Sequence, residues 1–179
     1  IQRPFNNDND YYKEIYEKDR EEKLDSLKKL RPPFLTRKGR TVYGGGGITP
    51  DIYIPWKNDI TKTTRSIMTD PKRLLFNWSN TYINSNNVLG KYKQFQTTWE
   101  LSDDDYNNFL DYLSSELKDI DLDEIKKDEE YLKIMIKSEI AGNKWGRDEL
   151  WGVRIATDSQ IMGALNHFNE ADAFLVQSN

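Results

Sequence analysis

Four consecutive glycines, Gly44-Gly45-Gly46-Gly47, are the first place in this sequence where the backbone itself could bind a ligand. They follow a β-prone stretch, and a glycine loop between a strand and a helix can cradle a phosphate with its N–H groups. Ile48-Thr49-Pro50-Asp51 comes next, without the Lys-Ser/Thr pair of a phosphate loop. We therefore interpret the run as a turn that needs positive φ or close backbone approach.

Two acidic clusters have types and spacing that suit a metal ion. Asp119, Asp121 and Asp123 match the start of a calcium loop, with Glu130 at its twelfth position, but Glu124 stands where the sharp turn needs glycine. A linker whose Asp caps the next helix is the preferred interpretation. Asp103-Asp104-Asp105 suits the first turn of a helix, where carboxylates complement the macrodipole, and a metal or acid–base role is the alternative.

Nucleophiles and bases are not arranged as a catalytic set in this sequence. His167 is the single histidine, and we expect it at the surface or boundary of the last helix. No serine lies in a Gly-x-Ser-x-Gly elbow, and the chain has no cysteine. We assign no catalytic, cofactor-binding or metal-binding residue and expect no cofactor. Trp78, Trp99, Trp145 and Trp151 are spaced as core anchors rather than as a base-stacking platform.

Composition narrows the classes of function further. The 179 residues carry 26 basic and 30 acidic side chains, a net charge of -4, which argues against general attraction to nucleic acid. No apolar run is long enough for a membrane span, and nothing resembles a signal peptide. The first residue is Ile1 rather than Met, so we expect a segment of a longer protein.

Periodicity and breakers predict a mainly α (α+β) fold: a small helical bundle with a short β-hairpin near residues 34–54. We expect residues 1–56 to form one region, with an inserted charged helix over 10–31 that Pro32-Pro33 ends, and residues 57–179 to form a C-terminal helical domain. Arg37-Lys38-Gly39-Arg40 predicts the hairpin turn with Gly39 at positive φ, and Ile52-Tyr53-Ile54 one further short strand.

Capping signals place four helices in the second region. Asp70-Pro71 predicts the start of the first, Ser102 with Asp105 the start of the second, and the third opens near Asp123 and loosens at Gly142. Thr157-Asp158-Ser159-Gln160 predicts the start of the last. The inner face expected for that last helix consists of Ile161, Leu165, Phe168 and Leu175.

The glycine run has a second meaning in its wider context. Gly39-Arg40-Thr41-Val42-Tyr43 followed by the glycines and Gly47-Ile48-Thr49-Pro50-Asp51 resembles a signature of the carboxyl-terminal processing peptidases, or tail-specific proteases. Ile1-Gln2-Arg3-Pro4-Phe5 looks like the segment that directly follows an earlier Gly-Arg turn in that family, so that residues 6–33 would be an insertion. The resemblance covers these two short stretches, and the helical remainder is similar only in style to C-terminal extensions of some envelope members.

The resemblance implies a serine endopeptidase that processes protein C-termini with a lysine base and no metal. Both catalytic residues, and a PDZ domain that reads the substrate, would lie upstream of this chain, so none maps onto its residues. The chain would then be a C-terminal region of a periplasmic or cell-envelope enzyme that controls access, positions substrate or mediates homo-oligomerisation. The alternative is a stand-alone helical module for protein–protein interaction, without peptidase ancestry.

Overall fold

A computed structural model of the chain describes residues 26, 29–37, 39–44, 50–54, 60–86 and 90–176. The chain divides into two compact units, Ile1–Trp56 with Gly163–Asn179, and Lys57–Met162. The sequence-based division has the same boundary after residue 56, whereas the units assign Gly163–Asn179 to the first one. The charged helix predicted over residues 10–31 lies almost entirely outside the described residues.

The first unit contains a two-stranded antiparallel hairpin, β1 (Pro33–Leu35) and β2 (Thr41–Tyr43), which pair Phe34 with Val42. The turn closes where the Thr36 N–H donates to the Arg40 carbonyl at 2.8 Å, and Gly39 has φ +80°. The predicted hairpin and the positive φ of Gly39 are thereby confirmed.

The third strand predicted at Ile52-Tyr53-Ile54 is wrong, because these residues are not in a strand. Pro50 and Pro55 flank the stretch and restrict the residues beside them, and a proline cannot donate to a ladder. What remains between them is too short to be held by β-propensity alone.

Helices make up most of the described chain, which confirms the mainly α fold with a small hairpin. In chain order they are α1 (Lys62–Met68), α2 (Leu74–Ser85), α3 (Tyr92–Thr98), α4 (Asp103–Glu116), α5 (Leu122–Lys126), α6 (Glu129–Lys144), α7 (Arg147–Thr157), α8 (Ser159–Leu165) and α9 (Phe168–Val176). No helix in these ranges is both long and apolar enough to cross a membrane.

The core of the second unit is built from the apolar stripes that the helical spacing predicts. Phe109 on α4 is fully buried and meets the Trp78 ring of α2 edge-on at 5.4 Å. The buried apolar side chains of α2, α4 and α6 are Leu74, Leu75, Trp78, Tyr106, Phe109, Leu110, Leu113, Leu132, Ile136, Ile140 and Ala141. Burial of such stripes, at roughly 25 cal/mol per Å² of apolar surface, is the main stabilising term for a bundle of short helices.

Two helix starts show where local signals suffice and where they fail. Ser102 caps α4, since its hydroxyl accepts the Asp105 N–H at 3.1 Å, as its spacing predicts. The start predicted at Asp70-Pro71 is wrong, and α2 begins at Leu74. Asp70 instead accepts the Lys72 N–H at 2.8 Å, and the left-handed Arg73 (φ 54°) separates that turn from the helix.

The third predicted helix is two helices, since α5 ends at Lys126 and α6 begins at Glu129. Gly142 does not loosen α6, which continues to Lys144. A Cβ at Gly142 would lie 2.9 Å from Leu150 Cδ1, so this glycine serves the close packing of α6 against α7.

The final helix also differs from its prediction. Its capping residue is Asp158, whose Oδ1 accepts the N–H groups of Gln160 (2.8 Å) and Ile161 (3.0 Å), while Thr157 is the last residue of α7. The helix is interrupted between α8 and α9. The expected inner face is wrong for its described side chains, because Ile161, Leu165 and Phe168 are 39%, 50% and 63% exposed. The side chain of Leu175 lies outside the described part.

Candidate functional site

An ion pair joins the two sides of the segment that contains the glycine run. Arg40 Nη1 lies 2.7 Å from Asp51 Oδ2, and the two side chains are 42% and 47% exposed. The pair joins the residue after the Gly39 turn to the residue that ends the Pro-Asp element. It therefore closes a loop whose middle, residues 45–49, lies outside the described residues.

At the start of this loop, the backbone of Gly44 lies so close to the Phe34 ring that a side chain at position 44 would not fit. A Cβ on Gly44 would lie 2.6 Å from the Phe34 ring, and the Gly44 N–H donates to the Pro32 carbonyl at 3.0 Å. This agrees with a backbone role for this glycine. Pro50 to Ile54, the described residues after the loop, are not helical and so offer no helix N-terminus to a phosphate.

Asp103 of the predicted acidic cluster contributes to an interhelical charge cluster. Lys133 Nζ on α6 lies 2.7 Å from Asp103 Oδ1 and 2.6 Å from Glu129 Oε1. Its hydrogen bond to Asp103, followed by that to Glu129, raises the pKa of Lys133, and the same contact lowers the pKa of Asp103. A lysine held in this way cross-links α4 and α6 and is a poor proton acceptor.

Asp105, the third residue of that cluster, organises a hydroxyl network. The Ser102 hydroxyl donates to Asp105 Oδ2 at 2.7 Å, and the Tyr82 hydroxyl donates to the same oxygen at 3.0 Å. Burial, and then the hydrogen bond to Asp105, raises the pKa of Tyr82 to about 12. The carboxylate thus ties α2 to the start of α4. Asp104 is exposed.

The residues proposed for a calcium loop serve helix ends instead. Asp121 caps α5 by accepting the Glu124 N–H at 3.0 Å, as the linker interpretation predicts. Asp123 lies within α5, 3.9 Å from Lys126, and Asp119 has φ +60°. In the described ranges, no group of three or more His, Cys, Asp or Glu side chains is arranged to hold a metal ion.

A second carboxylate cluster, missed by the sequence interpretation, binds the start of α1. Asp128 Oδ2 accepts the Thr61 N–H at 2.8 Å and the Thr61 hydroxyl at 2.7 Å. Glu124 accepts the hydroxyl of Thr63. Burial alone would raise the pKa of Asp128, but the hydrogen bonds from Thr61 outweigh it and hold that pKa below its usual value. The sequence could have suggested that Asp128 accepts backbone N–H groups at a helix end, because Asp commonly does so. It could not have shown that the partner is Thr61, 67 positions away.

Ser138 and Lys137 are neighbours on α6, but they do not form a nucleophile–base pair. The Ser138 hydroxyl donates to the Met135 carbonyl at 2.7 Å and accepts from Arg154 Nε at 3.0 Å. Lys137 Nζ donates to the Gln96 carbonyl at 2.9 Å, and burial lowers the pKa of Lys137. Gln96 in turn donates to the Gly152 carbonyl at 2.8 Å, so these side chains join α3, α6 and α7.

His167 lies in the turn between α8 and α9, not within a helix as predicted. Its Nδ1 is 3.3 Å from Glu170 Oε1, one turn further along the chain. The imidazole is partly exposed, in agreement with the expected boundary position. No described serine hydroxyl hydrogen-bonds to it, so this histidine has no serine nucleophile to activate among the described residues.

The four tryptophans predicted to be core anchors divide into core and surface residues. Trp78, Trp99 and Trp145 belong to the apolar core or pack against it, as their spacing predicts. The prediction is wrong for Trp151, which is 45% exposed on α7, with Ile155 one turn later at 47% and Met162 on α8 at 45%. The Arg154 guanidinium lies 5.4 Å from the centre of the Trp151 ring.

Trp151, Ile155, Ile161 and Met162 are exposed apolar side chains of α7 and α8 in the second unit, and together they define what we call the α7–α8 surface. An i, i+4 pair such as Trp151 and Ile155 marks one face of a helix, and on a sequence alone such a face is assigned to the core. Arg154, which also binds Glu139 Oε1 at 3.0 Å, was the available sign that polar groups lie beside this face.

Comparison with known proteins adds one match. Residues 72–146 match the model of a family of unknown function (DUF8443), from the turn before α2 to the end of α6. The match covers less than half of the chain. No curated protein and no solved structure matches.

Proposed function

We propose that this chain is the non-catalytic C-terminal region of a serine endopeptidase that processes protein C-termini. The observation that carries the proposal is the apolar character of both hairpin faces. Pro33, Leu35 and Tyr43 share one face with Thr41, its one polar residue, and Phe34 and Val42 share the other. A hairpin with one solvated face normally alternates apolar and polar residues, and an isolated hairpin is marginally stable. This composition supports a place in a larger β-structure that is covered on both faces.

The exposure of large apolar side chains in and just before the hairpin agrees with a further protein segment that would cover them. Phe34 is 57% and Leu35 73% exposed, and Leu30, just before β1, is 83% exposed. Side chains of this size are normally buried in a finished domain. The catalytic core of a peptidase, encoded upstream in the same polypeptide, is the partner that would cover them.

The ion pair of the motif segment gives the proposal a second support. In the resemblance, Gly-Arg and Pro-Asp are the polar landmarks on either side of the glycines, and Arg40 and Asp51 occupy those positions. Their 2.7 Å contact gives both landmarks a structural role in closing the glycine loop. Such a loop needs no catalytic group of its own.

Under this proposal the serine nucleophile and lysine base lie upstream, together with a PDZ domain. The helical unit would control access, position protein substrates or mediate oligomerisation, in a periplasmic or cell-envelope enzyme. The α7–α8 surface is the feature of that unit best suited to such contacts, since Trp and Arg are the residue types most enriched at binding hot spots.

A stand-alone protein-interaction module is the second candidate, and the same α7–α8 surface favours it. The two candidates differ in what precedes Ile1. The sequence encoded directly upstream tests them: a serine and a lysine in a peptidase-core context, preceded by a PDZ domain, are expected. An upstream sequence without them would overturn the peptidase proposal and leave the interaction module.

A further inference from the structure

The outer edge of β2 carries backbone groups that the hairpin does not use. Thr36 pairs with Arg40 and Gly44 with Pro32 through backbone hydrogen bonds of 2.8 Å and 3.0 Å. In an antiparallel pair, hydrogen-bonded and non-hydrogen-bonded positions alternate. Thr41 and Tyr43 therefore occupy non-hydrogen-bonded positions of the register, and their N–H and C=O groups point away from β1.

The outer edge of β1 differs in one decisive group. By the same alternation, Pro33 and Leu35 point their backbone groups away from β2. Proline has no N–H, so a strand added beside β1 would lose a donor at Pro33. Proline is one of the devices by which natural proteins close a sheet edge. Among the described residues no further strand pairs with β2, so within them the hairpin has one edge that Pro33 closes and one open edge.

We propose that two copies of this chain join along β2, edge to edge and antiparallel, about a two-fold axis through Val42. This register places Thr41 opposite Tyr43 of the second copy and Tyr43 opposite its Thr41. Both positions then become hydrogen-bonded pairs, each exchanging both N–H···O bonds. The edge is self-complementary, as an isologous interface requires.

This edge-to-edge pairing allows a dimer but no larger assembly. The combined sheet has the strand order β1-β2-β2-β1, so the closed β1 edge with Pro33 lies at both of its margins. Growth into a filament needs an open edge at the margin, and this sheet has none. Across the axis the apolar faces also continue, because Val42 meets Val42 of the second copy.

The inference concerns the 179-residue chain and does not depend on the peptidase proposal. It follows from the hairpin register and from Pro33 alone. The prediction about the upstream sequence and the prediction about the oligomeric state can therefore be contradicted independently of each other.

Cysteine cross-linking tests the register, because the natural chain has no cysteine. Val42→Cys places a thiol on the axis at a non-hydrogen-bonded pair, where Cα atoms are about 4.5 Å apart and a disulfide fits. Phe34→Cys, at the equivalent position of β1, is the matched control, and its site is 57% exposed, so random collision would favour it over the half-buried Val42.

Mild oxidation of dilute protein is expected to give a disulfide-linked dimer with Val42→Cys and little with Phe34→Cys. Equal cross-linking of both variants, or none with Val42→Cys, would overturn the proposal. Sedimentation equilibrium provides a second measurement on chains without a thiol. The unmodified chain should show a monomer–dimer equilibrium, which Tyr43→Pro weakens about tenfold or more by removing an outward N–H, while Leu35→Pro leaves it unchanged. A monomeric unmodified chain, or equal weakening by both prolines, would overturn it as well.

Discussion

Arg40 and Asp51, 11 positions apart, are joined by a 2.7 Å ion pair that closes the glycine loop. Because both side chains are more than 40% exposed, solvent and salt screen the pair. Asp51→Asn should therefore change the global free energy of unfolding by less than about 0.5 kcal/mol.

The same substitution should act locally. Without its closing contact the loop opens more often, so the Gly44 N–H should exchange with solvent faster. Hydrogen exchange followed by NMR measures this, and Asp123→Asn, at an exposed carboxylate 3.9 Å from Lys126, is the control. An unchanged exchange rate at Gly44 would show that the pair does not hold the loop.

The hydrogen bonds from Thr61 to the Asp128 carboxylate predict an acid-sensitive contribution to stability. The pKa of Asp128 is lower in the folded chain than in the unfolded chain, where it is about 3.9. Its contribution is therefore fully present above about pH 4 and is lost as the pH falls through the lower, folded pKa. Asp128→Asn should cost about 1–3 kcal/mol at pH 7 and reduce the steepness of the acid limb.

Urea unfolding at a series of pH values measures both effects of Asp128→Asn. The exposed Asp104→Asn is the control and should leave the neutral-pH stability within about 0.5 kcal/mol. A cost at pH 7 that persists undiminished at pH 2 would contradict the assignment of this carboxylate as the acceptor that holds Thr61, the N-cap of α1.

Gly152 and Tyr92 predict a paired effect between α7 and α3. A Cβ on Gly152 would collide with the Tyr92 hydroxyl, which donates to the Glu149 carbonyl at 3.0 Å. Gly152→Ala should therefore destabilise by about 1–3 kcal/mol, even though alanine favours helix by nearly 1 kcal/mol. Tyr92→Phe removes the colliding atom, so the double variant should be more stable than the sum of the single effects predicts, as a double-mutant cycle in urea would show.

The two classes of tryptophan predict different costs of truncation. Trp78→Ala should cost about 3–5 kcal/mol, because Trp78 is 8% exposed and stacks on Tyr82 at 5.0 Å. Trp151→Ala should cost about 1 kcal/mol or less, since that side chain is 45% exposed. Equal costs in thermal unfolding would show that Trp151 is a core residue, as the sequence spacing suggests.

Sequence periodicity was sufficient where burial and spacing agree. The stripes of α2, α4 and α6 and the Ser102 cap are local patterns, and Gly39 takes the positive φ that its turn requires. The local helix-start signal at Asp70-Pro71 was insufficient. There the chain forms a turn instead, which Arg73 completes in the left-handed region. The missing strand at Ile52–Ile54 shows that β-propensity without a partner does not make a strand.

The contacts within the clusters of polar side chains could not be predicted from the sequence for a different reason. Lys133 joins Asp103 across 30 positions, and Asp128 joins Thr61 across 67. Each residue has an ordinary local alternative, solvation or an i, i+4 pair, and only the packing of helices selects the distant partner. For Trp151 and Ile155 the reverse holds: their spacing is that of a core face, yet both are exposed.

The peptidase proposal is tested most directly by an activity measurement on two polypeptides. Cleavage of a protein with an unstructured C-terminus is compared for the purified 179-residue chain and for the longer product that includes the upstream sequence. The chain should show no cleavage, and the longer product should cleave with dependence on an upstream serine and lysine. Lysine-dependent serine peptidase activity in the 179-residue chain, or none in the longer product, would contradict the proposal.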